Sequence, residues 1–474
     1  MLKRQSQTYS DAVNEYRRRY KLDPPPGYEA WFEFARKHHS PIIDEFDVIY
    51  DSISPFWKIS GKEFLESMNK LYKTPQSETW LCEFSGKDAR TKCHHPNRTY
   101  DRHYSYLFEE LLWNLPGVLP NVKFLINHFD EPRVIVSPQS QDKKFQLTDM
   151  SRKSTWNALT SVCAQSQHKA REAHSETAVE TYGLPFVRNH FSESNLCRHS
   201  EYSTLHASFI CPKTFHLIQG LAPVMSTGAF STMGDILIPS PAYVELEFQY
   251  NHTQDVPWSQ KKNKLYWTGS TTGGYAMDDQ WQNYQRQRLV NLAQNLGQQQ
   301  HSYLRKKDAL ISRVKSRFMN SRLFDVAFTR IFQCDSKYCR DQSTYFNVKS
   351  WADKDAAFGS KLAFDLDGNG ISGRYYKLLA SNSLPLKQTL FREWHDERLM
   401  PWVHYVPVSQ SLEELPELVS YLTSTEAGQK VAEEIAQRGR DLMSNAVREV
   451  DMTIYTYRLM LEIARLQDPA RKAI

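Results

Sequence analysis

The sequence predicts an α/β fold of two Rossmann-like halves facing a central cleft, with a helical arm before them and a helix crossing back after them. Three observations carry this expectation. The chain has 474 residues, too many for one ordinary core and suited to two domains of middle size. Short apolar runs alternate with helical patterns in both halves, as in parallel sheets. Polar loops follow the strands at the positions where ligands of such sheets bind.

Residues 1–75 read as the helical arm, packed on the outside. Pro24-Pro25-Pro26-Gly27 breaks it, after which Tyr28, Trp31, Phe32, Phe34 and Ala35 repeat at helical spacing. Asp44 to Ser54 reads as a turn ahead of Pro55-Phe56-Trp57. Residues 76–255 form the first Rossmann-like half. Its clearest strands are Lys123-Phe124-Leu125-Ile126-Asn127 and Asp235-Ile236-Leu237-Ile238, the second stopped by Pro239 and Pro241. Residues 256–430 form the second half. Lys264-Leu265-Tyr266-Trp267 is a strand, a helix begins near Asp279, and Gln298-Gln299-Gln300 marks a surface insertion. Leu362 to Leu366 is a further strand, and Arg374 to Leu379 opens a helix. Residues 431–474 are strongly helical and end in a basic tail.

Composition narrows the function classes. Hydrophobic residues at 40% and charged residues at 24% fit a globular protein and exclude general disorder. A net charge of +5 is small for this length, without the stripe a nucleic-acid binder concentrates. Lys261, Lys262 and Lys264, and Arg305-Lys306-Lys307, read as solvated faces. Aromatic residues at 13% suit either an aromatic-rich core or a cleft whose rings pack against sugars. No apolar run is long enough to span a bilayer, and Met-Leu-Lys-Arg-Gln does not read as a signal peptide. Membrane attachment is expected only through an anchor ahead of this sequence. None of the seven cysteines forms a C-x-x-C pair, which argues against zinc. Cys82 with Cys93, and Cys334 with Cys339, would close small loops in an oxidising compartment, and the odd count leaves a free thiol. The sequons Asn97-Arg98-Thr99 and Asn251-His252-Thr253 point to the same compartment.

Three constellations carry chemistry. In Trp267-Thr268-Gly269-Ser270-Thr271-Thr272-Gly273-Gly274 a strand runs into small and hydroxyl residues before a helix, which lets backbone N–H groups approach a diphosphate. Asp365-Leu366-Asp367-Gly368-Asn369-Gly370 mimics a calcium loop, but Tyr376 stands where the bidentate glutamate belongs. It also fits an Asp-x-Asp metal pair formally. The following Ile371-Ser372-Gly373-Arg374 is more informative, because a guanidinium is the preferred fork for a phosphate and removes the need for a metal. Asp130 follows the strand ending at Asn127, and Pro132 stops that strand, so its carboxylate stands at the cleft and suits a general base.

Together these segments resemble glycosyltransferase family 90, and more closely its fungal xylosyltransferase branch than its animal protein O-glucosyltransferases. The resemblance rests on Leu119-Pro120 through Asp130 and Pro132, on Trp267 through Gly274 leading to Arg286-Gln287-Arg288-Leu289, and on Asp365 through Arg374 to Pro401-Trp402-Val403-His404-Tyr405-Val406-Pro407. It implies a GT-B fold and an inverting, metal-independent transfer from a UDP-sugar to a glycan acceptor, with no cofactor. The donor expected is UDP-xylose, giving a β-xyloside on a mannose-containing glycan, with UDP-glucose and a protein hydroxyl as the alternative. By position it implies Asp130 as general base. It gives Gly269, Ser270, Arg286, Ser372 and Arg374 as donor contacts, Phe328 within the uracil-pocket stretch Asp325 to Thr329, and Tyr455 near the donor sugar. Thr271 stands where the animal enzymes carry an arginine. The resemblance places the protein in the secretory pathway, and the lack of a KDEL-like tail favours the Golgi.

Overall fold

The computed structural model describes residues 4–136, 145–163, 179–308 and 310–474. Its first half contains β1 (Thr79–Ser85), β2 (Arg90–His94), β3 (Val122–Asn127), β4 (Val134–Ile135), β5 (Gln146–Asp149), β6 (His216–Gln219), β7 (Val224–Ser226) and β8 (Ile236–Leu237). The main sheet here has the order β2-β1-β3-β7-β8. Only β3, β7 and β8 run parallel, and β1 is antiparallel to both of its neighbours. The sheet is therefore mixed, where the alternation alone suggested a parallel one. Cys82 and Cys93 face each other across β1 and β2 and form a disulfide. β4, β6 and β5 make a small side sheet.

The second half contains β9 (Lys262–Ser270), β10 (His301–Lys307), β11 (Leu310–Ser316), β12 (Phe324–Arg330), β13 (Ser360–Leu366), β14 (Leu384–Gln388) and β15 (Val406–Pro407). Its main sheet, β12-β9-β13-β14-β15, is parallel throughout. All seven residues of β13 are buried, as a central strand covered on both faces requires. Leu362, Phe364 and Leu366 enter one hydrophobic cluster, while Ala363 enters another on the opposite face. β10 and β11 form a separate hairpin, so the insertion expected near Gln298 is a two-stranded ladder.

The first residues are not an outer arm. Helices Tyr9–Tyr20, Tyr28–Lys37, Asp47–Ile53 and Gly61–Lys73 are built into the largest hydrophobic cluster. Asp44 to Ser54 thus holds a helix where a turn was expected. Thr8 and Ser60 open the first and last of these helices with reciprocal side-chain caps. The partner of this bundle is the chain's last helix, Glu449–Leu466, of which 14 of 18 residues are buried. It also contacts β3 and the helix Tyr104–Leu112. Trp31 donates its indole N–H to the Ile454 carbonyl at 2.9 Å. The Arg458 guanidinium lies over the rings of Tyr28, Tyr16 and Trp31 at 4.4, 4.7 and 5.0 Å and pairs with Glu462 at 3.3 Å. Burying a cation here requires both the carboxylate and the ring faces.

Cys163–Cys197 and Cys334–Cys339 are the other disulfides among the described residues, and Cys211 is a buried free thiol. Among the described residues no helix is long and apolar enough to cross a membrane. Because Trp31 is fully buried, Trp31→Ala should cost about 3–5 kcal/mol, read as a lower midpoint in urea unfolding.

Candidate active site

Numbered within its own half, the strand order of the second sheet is 2-1-3-4-5 once the hairpin is set aside. The order reverses between β9 and β13, and ligands of such sheets bind at the carboxyl ends of the strands beside that reversal. β9 ends in Gly269-Ser270 and β13 in Leu366, with Asp367 just beyond. Both sequence motifs therefore meet at the switch point, although about a hundred residues separate them.

Arg286, on the helix Gln285–Ala293, ties the two ends together. It donates to the carbonyls of Asp367 at 2.9 Å and Ser270 at 3.0 Å, and to the Thr272 hydroxyl at 2.6 Å. Gly368 is needed because a Cβ there would lie 2.9 Å from the Arg286 guanidinium. Arg374 donates to the Thr268 carbonyl at 2.6 Å. Among the described residues neither arginine forms an ion pair. Burial first, and the charge of Arg374 second, push Arg286 down to about 9. Burial likewise lowers Arg374, against the pull of Asp365. Two adjacent guanidinium groups held by carbonyls and one hydroxyl favour an anion, which would offset the cost of desolvating them.

The acidic residues beside them are occupied. Asp365 accepts from the Ser372 hydroxyl at 2.5 Å and lies 3.5 Å from Lys387. Asp367 accepts from the Leu390 amide at 3.0 Å. They hold the loop that carries Arg374. Among the described residues no group of three or more His, Cys, Asp or Glu side chains gathers as a metal site.

Asp130 approaches from the first half. The Asn369 amide donates to its carboxylate at 3.5 Å, and a Cβ on Gly370 would come within 2.3 Å of its carbonyl oxygen. The loop Gly368–Gly370 thus has Arg286 on one side and Asp130 on the other. The opposite carboxylate oxygen of Asp130 pairs with Arg102, which also donates to the His128 carbonyl at 2.9 Å. Arg102 and His103 both take left-handed backbone (φ 56° and 65°), and the Asp101 carboxylate accepts from the amides of His103 and Ser105 at 3.1 and 2.8 Å. Such conformations cost about 1–3 kcal/mol each, so the turn that aims Arg102 is held against strain. A cleft of about 360 Å³ opens here, with Arg102, Asp130, Glu245, Phe248, Gly370 and Gly373 in its wall.

The remaining sequence-predicted residues divide. Ser270 lies at the switch point, its hydroxyl 3.2 Å from that of Thr272. Gly269 has a packing reason for its missing side chain, since a Cβ would lie 2.8 Å from the Trp267 ring. The Ser372 hydroxyl turns inward to Asp365. Phe328 and Tyr455 are not brought to the cleft. Phe328 is fully buried, edge-on to Trp267 and Phe346. Tyr455 is buried beside Trp394 and donates to the Leu237 carbonyl at 2.9 Å. Sequence reasoning missed Arg102, Asn369 and Thr272 as working residues. Asn369 and Thr272 stood inside motifs already singled out. Arg102 carried no signal, because its role depends on two left-handed residues and a partner 28 positions away.

Residues 243–472 match the family model described as glycosyl transferase family 90. Protein O-glucosyltransferase 1 of Bos taurus is 32% identical over 108 residues, which is 22% of this chain and 26% of that protein. O-glucosyltransferase rumi of Drosophila pseudoobscura pseudoobscura is 34% identical over 111 residues, again 22% of this chain and 26% of that protein. Protein O-glucosyltransferase 1 of Mus musculus is 28% identical over 142 residues, 28% of this chain and 35% of that protein. The chain thus spans about a quarter to a third of the length of the curated relatives it matches.

Glu131, beside Asp130, is 4% exposed and is pushed up to about 8, by burial first and by the Asp130 charge second. Folding therefore takes up a proton at Glu131. The stability this brings is complete below the ordinary carboxylate range and is lost as pH rises through about 8. Glu131→Gln should flatten the fall in melting temperature across that window, measured by thermal denaturation at a series of pH values.

Proposed function

We propose that this chain, a member of glycosyltransferase family 90 across residues 243–472, transfers a sugar from a UDP-sugar to an acceptor hydroxyl, with inversion and without a metal. The observation that carries the reading is the meeting of three groups on one loop. Buried Arg286 holds the Asp367 carbonyl at its start, and half-buried Arg374, just after it, holds the Thr268 carbonyl; neither has a carboxylate partner among the described residues. Asp130 from the other half touches its outer side at Asn369 and Gly370. A GT-B arrangement, with donor in the second half and acceptor in the first, belongs to this proposal.

The chemistry follows from those positions. The Asp130 carboxylate takes the proton of the acceptor hydroxyl. The hydroxyl oxygen attacks the anomeric carbon as the bond from that carbon to the diphosphate breaks. The electron pair leaves with UDP, and the two guanidinium groups stabilise the charge that develops on it. Arg102 fixes one carboxylate oxygen, and the other, which the Asn369 amide reaches at 3.5 Å, takes the acceptor proton. Thr271 has no part in this scheme, since its hydroxyl donates to the Phe332 carbonyl at 2.7 Å.

For the donor, the names of the matched relatives support UDP-glucose and a protein acceptor over UDP-xylose and a mannose-containing glycan. The xylose expectation rests on likeness to the fungal branch alone. Three disulfides, together with exposed acceptor asparagines in both sequons, support the lumen of the secretory pathway as the working compartment.

UDP release should be measured with UDP-glucose and UDP-xylose, with and without EDTA, and activity is expected to survive the chelator. Asp130→Asn should lower kcat by about 10²–10⁴ with little change in donor KM. Near-normal turnover of a folded Asp130→Asn protein would remove the assignment. Arg374→Ala should raise donor KM and lower kcat together, and Arg102→Ala should lower kcat while leaving donor KM in place.

A further inference from the structure

The hairpin β10–β11 takes no part in the cleft. The helix Gln285–Ala293 starts beside the carboxyl end of β9 and runs back to the opposite edge of the sheet, where the hairpin leaves and β12 begins. The hairpin therefore leaves the sheet at the edge opposite the carboxyl end of β9, and none of its residues stands in the cleft wall.

Its root is fixed. His301, Ser302 and Tyr303 are buried, Ser302 donates to Glu413 at 3.1 Å, and the Leu304 amide donates to Glu417 at 3.0 Å. Arg313 pairs with Glu413 and donates to the Gly183 carbonyl at 2.7 Å. Beyond this root the ladder stands in solvent. Arg305, Lys306 and Lys307 are exposed there, while Lys315, cross-strand from Ser302, and Arg317 are exposed at the root itself. Among the described residues none of the five forms an ion pair, and one exposed carboxylate, Asp308, stands against them. Beyond the root, Arg305, Lys306 and Lys307 against Asp308 leave the projection with a net positive charge.

The cations do not stand alone. Leu310 is 78% exposed and Phe318 73% exposed, and Ile311 is also exposed, cross-strand from Lys306. A polyanion such as a nucleic acid would use the charges and leave these apolar groups in water. An anionic bilayer surface uses both, because the lysines and arginines meet the headgroups while the apolar side chains enter the boundary beneath.

We propose that the β10–β11 hairpin docks this protein on a membrane surface rich in anionic phospholipid. The charge on the hairpin identifies the occupant, and the exposed Leu310 and Ile311 separate it from a soluble polyanion. This does not depend on the catalytic reading, because the surface lies away from Asp130 and the two arginines.

The test is sedimentation of the whole chain with vesicles of phosphatidylcholine, with or without phosphatidylserine. Binding is expected only with phosphatidylserine and should weaken as salt rises. Lys306→Glu with Lys307→Glu should lower the partition coefficient by about tenfold or more. Leu310→Ser with Ile311→Ser should lower it several-fold without removing the salt dependence. Both variants should melt like the parent and turn over soluble substrate at the parent rate, which separates a docking failure from a folding or catalytic one. Equal binding by parent and charge-reversed protein would overturn the proposal. So would retention on heparin without vesicle binding, which would make the hairpin a soluble-polyanion site.

Discussion

One guanidinium group organises the second half of this protein. Arg286 holds the carbonyls of Ser270 and Asp367, which terminate the two strands on either side of the sheet's reversal. Five N–H donors in a rigid plane let a single side chain bind both ends, which a lysine would do poorly. Carbonyl dipoles compensate its charge only in part, so the group stays biased toward an anion. The same interaction thus closes the site structurally and sets its preference. Gly368 and Gly273 give way to it. A Cβ at Gly273 would lie 2.7 Å from Gln285, the first residue of the helix that carries Arg286, and Gly273 has φ 118°.

Buried groups join the two halves. The last helix, Glu449–Leu466, completes the core of the first half although it follows the second in sequence. Near the cleft, Tyr243 from the first half stacks on Tyr376 from the second at 3.7 Å and bonds to Glu393. Glu393 meets Lys387 at 3.1 Å, Lys387 reaches Asp365, and Asp365 holds Ser372 beside Arg374. Burial pushes the carboxyls of Asp365 and Glu393 up, and the Lys387 charge draws them back. Removing one member would leave the others buried and unpaired, so the chain from cleft wall to arginine loop stands or falls as a unit.

Local chemistry made several features legible before any coordinates. β13 could be read because a fully buried strand is apolar throughout, and β9 because it runs into glycine and hydroxyl residues. Cys82 and Cys93 were close in sequence, and their strands are neighbours. Other features were not legible. The first 75 residues carry apolar stripes on several helices, but nothing in them says that the covering partner lies four hundred residues later. Phe328 and Tyr455 were placed by resemblance, and both are consumed by packing. The basic stretch Arg305-Lys306-Lys307 reads as an ordinary solvated face until β11 brings the exposed Ile311 and Leu310 opposite Lys306 and Lys307.

What the sequence by itself determined is the set of elements and the residue types at their ends. Periodicity, turn chemistry and the choice of arginine over lysine act within a few neighbouring residues. What only the tertiary structure decided is which ends meet. The parallel order of β9 and β13 brings Ser270 beside Asp367, and the left-handed turn at Arg102 aims a cation at Asp130. The packing of Gly370 against the Asp130 backbone brings a carboxylate from one half to the arginine loop of the other. These are contacts between distant segments, fixed by close packing and by the need to pair buried charge, and no local pattern encodes them.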